Sequence, residues 1–174
     1  MAASQPRSDR RAIIAMGVSG SGKTTFGKAL AQALELPFFD GDDFHSPAAR
    51  AKMAAGHPLN DVDRAPWLDR IGAALADAGA HPHGAVIACS ALRRAYRERL
   101  RGAVGRELRF VFLDGDKALM RKRVADRRGH YMPASLIDSQ FATLERPDGE
   151  ADVVAIAADG AVEELLAKAL RELG

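Results

Sequence analysis

The stretch Gly17-Val18-Ser19-Gly20-Ser21-Gly22-Lys23-Thr24 fits the phosphate-binding pattern G-x-x-x-x-G-K-[ST] at every fixed position. An apolar run at residues 12–16 precedes it and predicts a buried strand. Phe26, Leu30 and Leu34 follow it at intervals of four and predict a helix. In this context the glycines allow backbone N–H groups to turn toward phosphate oxygens, and the positive end of the helix faces the same anion. We therefore expect residues 17–24, with Thr25 beside them, to bind a nucleoside triphosphate.

The last two residues of this loop are expected to carry chemistry. Lys23 would reach the β- and γ-phosphates, and Thr24 would offer its hydroxyl to Mg²⁺. The alternative is a glycine-rich turn with an accidental lysine. The full pattern match and both correct flanks disfavour that alternative.

Length and composition indicate one soluble globular domain. The chain has 174 residues, of which 47% are hydrophobic and 28% are charged, and its net charge is +2. Cys89 is the only cysteine, so no intrachain disulfide can form, and we expect a buried, inert thiol in a reducing compartment. Residues 1–10 are polar and predict a disordered lead, and no run is long enough to span a membrane. These features predict a cytoplasmic protein.

Apolar strand candidates alternate with helical patterns along residues 11–174, which we expect to form a single domain. Continuous apolar strands separated by helices predict an α/β fold of the P-loop NTPase type, in which helices flank both faces of a five-stranded parallel sheet. We expect one helix to begin near Pro66, one to be opened by Pro133, and one to run along the C-terminal apolar residues. The strands are expected at residues 12–16, 36–40, 85–90, 108–114 and 153–157.

Ligands of such sheets bind beyond the carboxyl ends of the strands. Asp40 and Asp42 follow the second strand, with a glycine between them. We assign Asp40 to Mg²⁺, through a water molecule, and Asp42 to the acceptor hydroxyl. The alternative is a solvated Asp-Gly turn.

A polar insertion at residues 52–67 separates the second strand from the next helix. Long excursions at the ligand end of a sheet often bind substrate. Lys52 and Arg64 could hold an anionic group, and Asp61, among other polar residues, could bond hydroxyls. Each of these side chains alone is also compatible with a helix cap or a solvated surface.

The segment after the third strand carries no acidic residue at its start. This absence disfavours a large motor or switch ATPase, a nucleotide-binding regulator and a nucleic-acid-associated ATPase, and it suits a small kinase whose acids follow the second strand. Arg94 and Arg97 could face the substrate, or they could belong to a solvated helix face.

The densest basic cluster spans residues 121–130 and predicts an arginine-bearing lid. Arg123 and Arg127 are four residues apart and share a helix face, where they could neutralise charge on the transferring phosphoryl group. The alternatives are a solvated helix and a nucleic-acid patch. No aromatic residues interleave the basic ones, which disfavours the nucleic-acid partner.

Taken together, these motifs resemble the bacterial-type gluconokinase family of small P-loop kinases. The resemblance runs from about residue 12 to 147 and rests on the loop at 17–24, Asp-Gly-Asp at 40–42 with His45, Pro-Leu-Asn-Asp at 58–61, Cys-Ser-Ala-Leu at 89–92, Gly-His at 129–130 and Ser-Gln-Phe at 139–141 with Thr-Leu-Glu at 143–145. One departure is Asp43, which stands where some relatives have an apolar residue.

The resemblance implies a shikimate-kinase-like sheet, ATP and Mg²⁺ as cofactors, a homodimer, and phosphorylation of D-gluconate to 6-phospho-D-gluconate. A related kinase acting on shikimate or another sugar acid is the alternative. The resemblance to gluconokinases also implies a substrate-binding insertion at about 44–66 and a lid at about 120–134. The catalytic residues are then Lys23, Asp42, Arg123 and Arg127. The substrate contacts that it implies are Asp42, His45, Lys52, Asp61, Arg64, Arg97, His130 and Gln140.

Overall fold

The computed structural model describes residues 10–105, 107–127 and 134–174. The predicted lead at 1–10 and the predicted contact His130 therefore lie, apart from Arg10, outside the described residues. The elements in chain order are β1 (Arg11–Met16), α1 (Lys23–Ala33), β2 (Phe38–Asp40), a 3₁₀ turn (Gly41–Phe44), α2 (Pro47–Ala54), α3 (Asp61–Ala76), β3 (Gly84–Ala88), α4 (Arg94–Val104), β4 (Leu108–Asp114), α5 (Lys117–Ala125), α6 (Ala134–Thr143), β5 (Val153–Ala157) and α7 (Val162–Leu173).

The five strands form one parallel sheet in the order β2-β3-β1-β4-β5. Strand β1, which leads into the phosphate-binding loop, lies at the centre, and Ile14 pairs with Ile87 of β3 and with Phe110 of β4. A central parallel strand is covered on both faces, which explains why β1 is apolar from Ala12 to Met16 rather than alternating. The predicted fold class is confirmed.

Successive residues of β1 enter two different cores. Ile13 and Ala15 pack into a cluster that includes residues of α1 and α7, whereas Ala12, Ile14 and Met16 pack into a cluster that includes residues of α3 and α4. This alternation follows from the period of two along a strand. Helices on both faces thus fix β1, so the loop that follows it starts from a rigid support.

Helix α3 begins at Asp61, not near Pro66 as predicted from the proline. The Asn60 side chain accepts from the Asp63 backbone N–H, and the Asp63 carboxylate accepts from the Asn60 N–H, which is a complete capping box. These two bonds start the helix five residues earlier and leave Pro66 inside it. Much of the predicted insertion is therefore helical, in α2 and in the first turn of α3.

No helix within the described ranges is long and apolar enough to cross a membrane.

Candidate active site

The phosphate-binding loop connects β1 to α1, and its glycines have backbone geometry that other residues rarely adopt. Gly20 has φ of +85°, and a Cβ there would lie 3.0 Å from Val124 Cγ2 and 3.1 Å from the Met120 carbonyl oxygen. Gly22 has φ of +89° and precedes the first residue of α1. The loop can therefore pack closely against α5 while its N–H groups remain at the N-terminus of α1.

A cavity of about 220 Å³ lies beside this loop, at the carboxyl ends of the strands. Many of the predicted donor-site residues line it together with the residues that follow β3. Its lining consists of Ser19, Gly20, Gly22, Lys23, Thr24, Asp40, Asp42, Ala88, Cys89, Ser90, Arg127 and Gln140. A larger open groove of about 530 Å³ runs between β5 and α7, but none of the residues lining it is a predicted site residue.

Lys23 is the cation that the phosphate-binding loop itself contributes to the cavity. Its Nζ donates to the Val18 carbonyl oxygen at 3.2 Å. Burial lowers the pKa of Lys23, and the negative charges of Asp42 and Asp40 oppose this shift. A half-buried ammonium gains from an anion placed beside it, so this position suits a phosphate group.

Thr24 and Asp40 present hard oxygen donors next to each other. The Thr24 hydroxyl donates to Asp40 Oδ2 at 3.3 Å, while Asp40 Oδ1 accepts from the Asp42 N–H at 3.0 Å. A hydroxyl and a carboxylate are ligands of the kind that Mg²⁺ prefers, directly or through water. The donor set therefore fits the predicted magnesium site.

Asp42 lies in the 3₁₀ turn after β2, and its side chain is 87% exposed. A side-chain hydrogen bond holds the turn in place: Trp67 Nε1 donates to the Gly41 carbonyl oxygen at 2.7 Å. The Asp42 carboxylate is therefore open to an acceptor molecule while its backbone is fixed.

His45 stacks on Trp67, with ring centroids 4.4 Å apart and an interplanar angle of 12°. Its Nε2 lies 4.0 Å from Asp42 Oδ1, and its buried Nδ1 has no hydrogen-bond partner among the described residues. Burial lowers the pKa of His45, opposed by Asp42, so the imidazole is neutral at pH 7. His45 therefore forms one wall beside Asp42.

Comparison with known proteins places this site in a family. The family described as "AAA domain" matches residues 13–147. A gluconokinase of Gluconobacter oxydans strain 621H is 44% identical over 160 residues, which cover 90% of this chain and 89% of that protein. The chain belongs to the gluconokinase family. A crystal structure of a gluconokinase from Sinorhizobium meliloti 1021 matches with a TM-score of 0.87 and 43% identity, covering 96% of this chain and 93% of that one.

The shikimate kinase of Aquifex aeolicus is similar in fold only. It is 18% identical, with a TM-score of 0.61, and the match covers 92% of this chain and 94% of that chain. The resemblance to gluconokinases inferred from the sequence motifs is thus confirmed, and the shikimate-kinase-like architecture is confirmed as a likeness of fold. Membership of a phosphate-loop kinase family also implies the use of ATP.

The structure places the predicted substrate contact Arg97 outside the cavity lining. Its side chain is fully buried on α4, and all five of its N–H groups are occupied. They donate to both carboxylate oxygens of Glu150 and to the carbonyl oxygens of Ala91, Leu92 and Glu145. No donor remains for a ligand, so Arg97 supports the fold.

The insertion of this gluconokinase-family chain carries three predicted substrate contacts outside the cavity lining. Lys52 Nζ bonds Asp63 Oδ2 at 2.6 Å, which ties α2 to the first turn of α3. Asp61 accepts from the Tyr96 hydroxyl at 2.5 Å, and the Arg64 guanidinium lies 5.6 Å from the centre of the Tyr96 ring. Tyr96 was not predicted, and it holds Asp61 and Arg64 together.

The two predicted lid arginines differ in position. Arg127 lines the cavity, whereas Arg123 is half-buried on α5 and is not part of the lining. Residues 128–133 of the predicted lid lie outside the described ranges. Arg127 is thus the arginine for which the geometry supports a role near phosphate.

Cys89 and Ser90 complete the floor of the cavity and were not predicted as site residues. Burial raises the pKa of Cys89 to about 12, which agrees with the expected inert thiol. Their position directly after β3 was the available signal, because ligands of this fold bind beyond the strand ends.

Proposed function

We propose that this protein phosphorylates D-gluconate at the expense of ATP, giving 6-phospho-D-gluconate and ADP, and so feeds gluconate into carbohydrate metabolism. The observation that carries the proposal is the 44% identity to a gluconokinase over 90% of the chain. The cavity agrees with it, because Lys23, Thr24, Asp40 and Asp42 meet there.

In the proposed reaction the terminal hydroxyl oxygen of gluconate attacks the γ-phosphorus of ATP. The bond between that phosphorus and the β–γ bridging oxygen breaks, and ADP leaves with the electron pair. Asp42 orients the hydroxyl and accepts its proton, which its exposed carboxylate allows. Lys23 and Arg127 stabilise the charge that spreads over the transferring phosphoryl oxygens. Arg123 is assigned to the same charge by sequence alone.

Thr24 and Asp40 would hold Mg²⁺, Thr24 through its hydroxyl and Asp40 through water. When bound there, the ion would supply positive charge that neutralises the phosphates. Asp40 also fixes the backbone of Asp42, so one carboxylate connects the donor side to the acceptor side.

The remaining assignments concern the other substrate contacts and the oligomeric state. The carboxylate of gluconate needs a cationic partner, and we assign it to Arg64, with Asp61 and Lys52 organising the same insertion. His45 would contact the substrate beside Asp42. We also propose a homodimer in a cytoplasmic setting, with 11–174 as one domain; light scattering of the purified protein at several concentrations tests the dimer.

The test is an ADP-release assay with D-gluconate, other sugar acids and shikimate, with the product identified by phosphorus NMR. We expect turnover that depends on gluconate, and its absence would exclude the proposed function. Asp42→Asn should lower kcat by about 10²–10⁴ without unfolding the protein. Asp43→Asn is the matched control, because Asp43 is exposed in the same turn but does not line the cavity. Equal loss in both variants would remove Asp42 from the mechanism.

A further inference from the structure

Gln140 makes an unusual two-point contact with the phosphate-binding loop. Its Oε1 accepts from the backbone N–H of Ser19 at 2.6 Å, and its Nε2 donates to Ser19 Oγ at 2.8 Å. The two residues are 121 positions apart in the chain. One side chain of α6 thus bonds both the main chain and the side chain of a single loop residue.

The acceptor in this contact, Gln140 Oε1, bonds a backbone N–H group of the phosphate-binding loop. Phosphate-binding loops act by offering backbone N–H groups to phosphate oxygens. The amide oxygen of Gln140 lies where an oxygen acceptor satisfies one such N–H group. The Ser19 N–H can only donate, so it requires the amide oxygen of Gln140 to face it, and the Gln140 Nε2 then donates to Ser19 Oγ.

Helix α6 holds Gln140 in place from several sides. Ile137 is fully buried, and Asp138 forms ion pairs with Lys117 and Arg121 of α5. At the end of the helix, the Glu145 carboxylate accepts from the Arg94 N–H at 2.6 Å. Gln140 therefore approaches Ser19 from a fixed support and is not a freely rotating surface side chain.

Gln140 lines the same cavity as Asp42, which is assigned to the acceptor hydroxyl, and Lys23, which is assigned to the β- and γ-phosphates. We propose that Gln140 is a positioning residue that sets Ser19 for the γ-phosphate and thereby favours ATP over ADP. This inference rests on the proposed kinase function. It also changes the sequence-based assignment, since Gln140 was expected to contact gluconate.

The neutral amide is central to the proposal. A carboxylate of the same shape could still accept from the Ser19 N–H, but its negative charge would oppose a γ-phosphate nearby. This repulsion would weaken the binding of a triphosphate more than that of a diphosphate, because only the triphosphate has a γ-phosphate. Gln140→Glu should therefore change the ratio of the affinity for ATP to the affinity for ADP. A loss of packing would instead lower both affinities together.

The experiment measures, by calorimetry without gluconate, the Kd of ADP and of a non-hydrolysable ATP analogue with Mg²⁺. We expect Gln140→Glu to weaken the ATP analogue at least tenfold more than ADP, which corresponds to about 1.4 kcal/mol. Gln140→Ala should weaken the ATP analogue less than Gln140→Glu, because it adds no charge. Gln32→Glu, at an exposed position of α1, adds the same charge and should leave the ratio unchanged.

Steady-state kinetics provide a second readout. In Gln140→Glu the KM for ATP should rise while the KM for gluconate stays within about twofold. An unchanged ATP-to-ADP ratio, or an effect confined to the KM for gluconate, would overturn the proposal. Failure of the proposed function is distinct from this result, since it would appear as normal nucleotide binding without gluconate-dependent turnover in the wild-type protein.

Discussion

The buried carboxylate of Glu150 offers a prediction whose size follows from the structure. Its side chain is 8% exposed and accepts from Arg97 at 2.9 and 2.6 Å and from Arg101 at 2.6 Å. The hydrogen bonds from Arg97, helped by Arg101 and opposed by burial, lower the pKa of Glu150 from 4.5 to about 2. Glu150→Gln keeps the shape but removes the charge that faces two guanidinium groups.

The expected cost at neutral pH is about 3 kcal/mol of unfolding free energy, since each pKa unit corresponds to about 1.36 kcal/mol. Breaking one partner of a buried ion pair typically costs a similar amount. For a chain of this length the loss corresponds to a melting temperature lower by about 10 °C. Urea unfolding followed by the fluorescence of Trp67, the only tryptophan, measures it.

The sign of the pH dependence is fixed by the lowered pKa. The stabilisation is complete above the pKa of the unfolded chain, near 4.5, and is lost as the pH falls toward 2. The difference between wild type and Glu150→Gln should therefore shrink to about 1.4 kcal/mol at pH 3.

The control for Glu150→Gln is Asp69→Asn, because Asp69 also binds an arginine with both oxygens, at 2.7 and 2.8 Å, but on the surface. Exposed ion pairs contribute little to the free energy of unfolding, so Asp69→Asn should lower that free energy far less than Glu150→Gln. A loss below about 1 kcal/mol for Glu150→Gln at pH 7, or a difference that does not change with pH, would refute the argument.

Two further predictions concern the site. Asp40→Asn keeps an oxygen acceptor for the Asp42 N–H but loses the charge beside Thr24, so the Mg²⁺ concentration for half-maximal rate should rise about 10–100-fold; an unchanged Mg²⁺ dependence would remove Asp40 from the metal site. Protonation of His45 should quench Trp67 fluorescence with a midpoint below pH 6.5, and the fold should lose stability below that pH, because burial lowers the pKa of His45. His45→Gln should abolish the transition, and a midpoint at or above 6.5 would contradict the assignment.

The donor half of the site was predictable because its signals are local. The buried strand, the glycine loop and Lys23 with Thr24 are contiguous, and the fold places Asp40 and Asp42 at the end of β2, which is separated from β1 by β3. A parallel sheet brings strand ends to one edge, so short sequence segments were enough to predict which residues meet there.

Other features depend on contacts between distant residues. Arg97 lies on the helix that follows β3 and Arg127 lies just past the helix that follows β4, so the two look alike in sequence, yet Arg97 is buried against Glu150, 53 residues away, and Arg127 is exposed. The start of α3 was missed for a different reason. Asn60 and Asp63, three residues apart, form reciprocal bonds that are a local signal for the helix start, whereas the prediction rests on Pro66.

The segment after α6 connects the stability of the fold to the phosphate-binding loop. Gln140 bonds Ser19 of the loop, Glu145 bonds the first turn of α4, and Glu150 neutralises Arg97 beneath that turn. Since these contacts lie on one short stretch of chain, a loss at Glu150 can reach Gln140 by moving Glu145 and the end of α6. Measuring ATP-analogue affinity in Glu150→Gln therefore separates two explanations. Affinity that falls with stability means that the stretch positions the loop as a unit, and unchanged affinity means that α6 and its contacts with α5 hold Gln140 on their own.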